Sequence, residues 1–164
     1  MDKKPIKTVY VWSKDQFDDA MQLNELKDSN IEKLYKTALI SINDTSGIYS
    51  KSWFNENHSN VLILHFDDIE NDMEKSPTNK HDCKAFTIEQ AKKIIHFLNT
   101  NKDRTQFIVH CAAGISRSGS VGLFINDYFE LDYKTFLENN PFISPNGHIS
   151  RILNNTYRDN LKNS

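Results

Sequence analysis

The run Gln106-Phe-Ile-Val-His110 passes without a break into Cys111-Ala-Ala-Gly-Ile-Ser-Arg117, and then into Val121, Phe124, Ile125 and Tyr128. The first segment has the β-branched and aromatic content of a strand, and the last has the three-to-four spacing of a helix. A strand that turns into a helix through a short loop of small residues puts that loop at the carboxyl end of a sheet, where α/β folds bind ligands. Backbone N–H groups in such a loop, ahead of a helix N-terminus, point inward and favour anions. This one stretch therefore commits the chain to an α/β fold with an anion-binding loop.

The rest of the sequence supplies the matching elements. Lys7–Trp12, Ala38–Ile42 and Val61–Phe66 read as further strands, the last nearly continuous in apolar character, as expected when both sheet faces are covered. Ser13 with Gln16, and Thr87 with Gln90, have capping-box spacing and open helices. The helix after Thr87 carries Ile88, Ala91, Ile95 and Leu98 on one face. A short helix is expected near 31–36, a polar loop over 67–84, and two closing helices near 133–139 and 147–162. Alternating strands and helices predict three layers, α/β/α, around a mostly parallel sheet of four or five strands.

With 164 residues and no repeat or Gly/Ser linker, one domain spanning 1–164 is expected, loose at 1–5 and 160–164. Formal net charge is −2, so no overall basic field argues for nucleic acid or an anionic membrane, and an anionic substrate needs a local positive site. No apolar run has the length of a transmembrane helix, and Met1–Tyr10 lacks the apolar stretch of a signal peptide, so a cytoplasmic location is expected. In that setting Cys83 and Cys111 are expected as free thiols.

The loop residues have distinct chemical uses. The thiolate is the reactive form of cysteine, and inward N–H groups with a helix N-terminus favour it. The same N–H groups, from Ala112, Ala113, Gly114, Ile115 and Ser116, can hold the oxygens of a phosphate. Gly114 permits a positive φ or a close backbone approach. Arg117 offers a planar fork that matches two phosphate oxygens and stays charged at any working pH. Ser118 can donate to the sulfur and make it a better leaving group.

Val109-His-Cys-Ala-Ala-Gly-Ile-Ser-Arg-Ser118 resembles the signature of the cysteine-dependent protein tyrosine and dual-specificity phosphatases: Cys-x5-Arg preceded by His and followed by Ser. The short chain is similar to the compact dual-specificity kind. Ser144-Pro-Asn-Gly147 resembles that family's Pro-Asn before its final helix, which implies that Asn146 hydrogen-bonds the phosphate loop; by itself Asn146 reads as a helix cap, and the two roles are compatible. His110 is expected as a buried histidine that orients the loop. The resemblance implies hydrolysis of a phosphorylated protein or peptide, phosphotyrosine foremost and phosphoserine or phosphothreonine besides, through a phosphocysteine and without a cofactor or metal.

In that family an Asp after the preceding strand protonates the leaving group. By the resemblance Asp68 of Phe66-Asp-Asp-Ile69 falls on that position, with Asp67 as the alternative. The separation from Asp68 to Cys111 exceeds that of compact members, which implies an insertion within 69–84 and brings Glu70 and Asp72 into consideration. Cys83 is a plain thiol or a resolving partner for Cys111. His81-Asp82-Cys83 has no second ligand pair spaced to complete a metal site. Two other functions compete: a phosphate-recognising binding module, and arsenate reductase or rhodanese-like thiol chemistry.

Overall fold

The computed structural model describes residues 6–69 and 83–163. Four strands, β1 (Thr8–Ser13), β2 (Thr37–Asn43), β3 (Val61–His65) and β4 (Gln106–Cys111), form one sheet in the order β1-β4-β2-β3, with every pairing parallel. The helices are α1 (Lys14–Leu23), α2 (Ile88–Thr100), α3 (Arg117–Tyr128), α4 (Tyr133–Asn139) and α5 (Gly147–Lys162). The expected α/β/α architecture is thus observed, with four strands. The two central positions belong to β4 and β2.

Strand alternation sorts the core into two layers. Phe107 and Val109 of β4, with Ala38, Ile40 and Ile42 of β2, join Ile94 and Leu98 of α2, Val121 and Ile125 of α3 and Leu153 of α5 in the larger cluster. The intervening Ile108 and Leu39 face the opposite way, onto Phe17, Met21, Ile31 and Phe54. Both faces are covered, which explains why β3 reads as a nearly continuous apolar run. Among the described residues no helix is long and apolar enough to cross a membrane.

Both capping boxes are formed: Ser13 Oγ accepts from Gln16 N at 3.2 Å, and Thr87 Oγ1 accepts from Gln90 N at 3.2 Å. The short helix expected near 31–36 is a single 3-10 turn, Ile31–Lys33. The chain cannot continue it, because Arg104 Nη1 binds the Leu34 and Tyr35 carbonyls, and the N–H groups of Thr105 and Gln106 bind that of Lys36. At the other end, helical bonding carries α5 through Lys162, where a loose terminus is expected from the sequence. Glu70, Asp72, His81 and Asp82 lie outside the described residues.

Candidate active site

Cys111 ends β4 at 2% exposure, opposite Ser13 in the register with β1. Its Sγ lies 3.0 Å from Ser118 Oγ and accepts the Gly114 N–H at 3.3 Å. The loop is clamped from several directions. Lys14 N donates to Ala112 O at 3.1 Å, Ser144 N to Ile115 O at 2.9 Å, and Ser120 N to Ser116 O at 2.9 Å as α3 begins. Gly114 has φ +74° and rests on the backbone of β1: a Cβ built there would stand 2.5 Å from Ser13 N. Any side chain at this position meets backbone that cannot yield, so the glycine is required twice over.

Arg117, on the first turn of α3, is 5% exposed. Its Nη1 donates to Phe66 O at 2.8 Å and pairs with Asp44 Oδ1 at 2.7 Å. Its Nε is buried and has no hydrogen-bond partner among the described residues. One edge of the guanidinium is therefore anchored by the protein, and the edge carrying Nε is not. Asp44, just beyond β2, was not foreseen; its partner lies far along the chain, and no spacing rule links them.

The adjacent carboxylates Asp67 and Asp68 have opposite surroundings. Asp67 accepts from Thr45 N (3.1 Å), Thr45 Oγ1 (2.5 Å) and Lys84 N (2.8 Å). Burial pushes its carboxyl up, but these hydrogen bonds and the Arg117 charge hold it below the usual carboxylate range. Asp68 is exposed and faces the loop: its Oδ1 accepts from Ser116 Oγ at 2.8 Å and from Asn146 Nδ2 at 2.9 Å. Of the two sequence candidates, only Asp68 is hydrogen-bonded to the loop.

His110 is fully buried against Phe17, with ring centroids 4.2 Å apart. Its Nε2 lies 2.6 Å from Ser41 Oγ and its Nδ1 3.4 Å from Cys111 O. Burial pushes its pKa down to about 3, so the imidazole is neutral across the working range. Asn146 caps α5, its Oδ1 accepting from His148 N and Ile149 N, but its Nδ2 is given to Asp68, so among the described residues the expected hydrogen bond to the loop is not made. The loop contact from this segment comes from Ser144 instead.

Cys83, half-buried, and Cys111, buried, are not joined by a disulfide. Asp28, Glu56 and His58 bring ligand atoms within 4.8 Å of one another. The Asp28 carboxylate there is engaged by His58 Nε2 at 2.7 Å and by Asn55 N, which ties the two loops together.

No protein-family model matches the chain, and no curated protein matches it either. Solved structures do. The PTP-2 phosphatase of Cydia pomonella is similar over 93% of this chain and 90% of its own, at 14% identity and a TM-score of 0.52. PTPMT1 is similar over 95% and 93%, at 15% identity and a TM-score of 0.50. At such identities the likeness is one of architecture, and it agrees with the order of elements around the loop. The chain has the fold of the cysteine-based protein tyrosine phosphatases.

Proposed function

We propose that the protein hydrolyses phosphate monoesters through a phosphocysteine. The observation that carries the reading is the half-anchored guanidinium of Arg117, six residues beyond a thiol that is itself held by Ser118 and a loop N–H. Phosphate oxygens lie against the loop N–H groups and the Nε edge of Arg117, which stabilise the charge of the transferring phosphoryl group. The Cys111 thiolate attacks phosphorus, the S–P bond forms, and the P–O bond to the leaving group breaks. Asp68 donates its proton to the departing oxygen.

Water then attacks the phosphocysteine and gives a proton to the Asp68 carboxylate. Phosphate leaves, and Ser118 Oγ–H supports the sulfur as it regains negative charge. Neutral His110 takes no proton in either step; it holds the end of β4 against β2 through Ser41. We assign the substrate to phosphorylated proteins or peptides, with phosphotyrosine foremost. Support comes from the lack of Lys or Arg between Cys111 and Arg117, which gives a polyphosphorylated ligand no second cation in the loop.

Hydrolysis of an aryl phosphate across pH 4 to 9, with a chelator present, tests the reading. Chelator-resistant turnover with a bell-shaped profile, lost in Cys111→Ser, is expected. Undiminished turnover by Cys111→Ser would remove the covalent route. A folded but inactive wild type that binds phosphopeptides would instead favour the binding module.

A further inference from the structure

The Asp68 carboxylate is not simply near the phosphate loop: one of its oxygens is held there by two separate donors. Ser116 Oγ, from within the loop, lies 2.8 Å from Oδ1, and Asn146 Nδ2 lies 2.9 Å from the same atom. The amide orientation is set independently of Asp68. Asn146 Oδ1 accepts from His148 N at 2.9 Å and Ile149 N at 3.2 Å, so the oxygen must face α5 and the NH2 must face Asp68. The Asn146 backbone is pinned as well, since its N–H donates to Ser120 Oγ at 2.6 Å and its carbonyl accepts from the same hydroxyl at 3.0 Å.

Ser116 carries a second sign. It occupies the N-cap position of α3, yet its side chain makes no capping hydrogen bond. A serine at that position ordinarily bonds an N–H of the first turn. Here the hydroxyl is turned outward to Asp68.

We infer that Ser116 and Asn146 are positioning residues for the acid of the proposed reaction, holding Asp68 Oδ1 so that the transferable proton sits on Oδ2. The inference rests on the reading of Asp68 as the acid. With two donors aimed at Oδ1, a proton on that oxygen would face two other hydrogens, whereas Oδ2 has no hydrogen-bond partner among the described residues and can carry it. The proton moves from Oδ2 to the leaving oxygen, and Oδ2 takes one back from water in the second step; Oδ1 stays an acceptor throughout. The orientation of the acid is therefore referenced to the loop that holds the phosphate, rather than to the segment that carries Asp68.

The leaving group provides the test. An electron-poor phenolate departs without a proton, and an alkoxide does not, so disturbance of the acid alone penalises alkyl phosphates selectively. Rates would be measured for wild type, Ser116→Ala, Ser116→Thr and Asn146→Ser on a nitrophenyl phosphate, on phenyl phosphate and on a phosphoserine peptide. Ser116→Ala sacrifices no cap, and Asn146→Ser keeps a capping hydroxyl while removing the amide donor.

The ratio of the slowest substrate's kcat to the fastest should fall about tenfold in Ser116→Ala and Asn146→Ser, within the range that general acids contribute. Ser116→Thr should restore it. In an Asp68→Asn background, which depresses the ratio further, Ser116→Ala should have no additional effect. An equal loss on all three substrates would assign Ser116 to phosphate binding and overturn the inference, while the phosphatase reading survives. An unchanged ratio in both variants overturns it too. Absence of Cys111-dependent turnover of the nitrophenyl ester by wild type would overturn the phosphatase reading itself.

Discussion

The carboxyl ends of the two central strands do complementary work by different means. At the end of β4 the chemistry is local: Cys111, the loop N–H groups, Arg117 and Ser118 are consecutive, and the backbone makes most of the cradle. At the end of β2 the work is done by side chains that reach elsewhere. Ser41 meets His110, Asp44 meets Arg117, and Thr45 meets Asp67 beyond β3. In the proposed reaction the first end supplies the thiol and the phosphate cradle, and the second fixes Arg117 and His110. Local geometry gives the chemistry, and non-local contacts give its aim.

The most severe test lies at the β4 end. Arg117→Lys keeps the charge but loses the planar fork, and kcat on an aryl phosphate should drop about 100-fold to 1000-fold, as when a charge-stabilising donor is removed. A drop below tenfold would mean that charge alone suffices and that anchoring Nη1 matters little. At the β2 end, Asp44→Ala leaves every reacting group in place but frees the guanidinium from one of its two holds. A loss of about tenfold to 100-fold in kcat/KM is expected, the scale of a small misplacement. Asp44→Glu should recover part of it. If Asp44→Ala instead equals Arg117→Lys, the division of labour between the two ends disappears.

Gly114→Ala should lower stability by about 1–3 kcal/mol through the strained φ and the contact with Ser13, measured by urea denaturation, and distort the loop as well. The link from His110 to Ser41 is read by pH. Folded His110 titrates at about 3 against about 6.5 unfolded, so between these values the unfolded chain binds a proton that the native one refuses. Stability is therefore lost as pH falls below about 6.5. This group alone should remove about 2 kcal/mol between pH 7.5 and 5, and His110→Gln should flatten that slope. The smallest effect on rate belongs to Asp67→Asn. It weakens the staple to Thr45 and Lys84, costs about 1 kcal/mol of stability, and should change kcat less than twofold on substrates where Asp68→Asn is severely impaired.

The same contrast explains what could be read from the sequence. The β4 end was legible because strand, loop and helix are contiguous, and because Gly114 and Arg117 are forced by the geometry of a short anion loop. The layers were legible from the alternation of strands with helices and from the two capping boxes. Asp44 was not, since an Asp in Asn43-Asp-Thr-Ser-Gly47 has the composition of an ordinary turn. Asn146 was legible as the cap on α5, but its expected bond to the loop goes to Asp68 instead, because the cap engages its oxygen and leaves only the amide. The short helix near 31–36 failed for a similar reason, since Arg104, Thr105 and Gln106 take carbonyls that a longer helix needs.

The first strand carries none of the side chains assigned to the proposed reaction, yet it is the floor on which Gly114 rests, and its Ser13 lies beside Cys111. The site is thus closed by contacts between the beginning of the chain and a segment far along it. Such pairings carry a large loop-closure cost and form slowly. During synthesis β1 emerges long before the signature loop but has no partner in the sheet until β4 follows, so the floor and the loop are completed together. In refolding from denaturant no such order is imposed. Recovery of turnover should then report the docking of β1 onto β4 and lag behind the recovery of helix, making the return of activity a clock for the topology of the sheet.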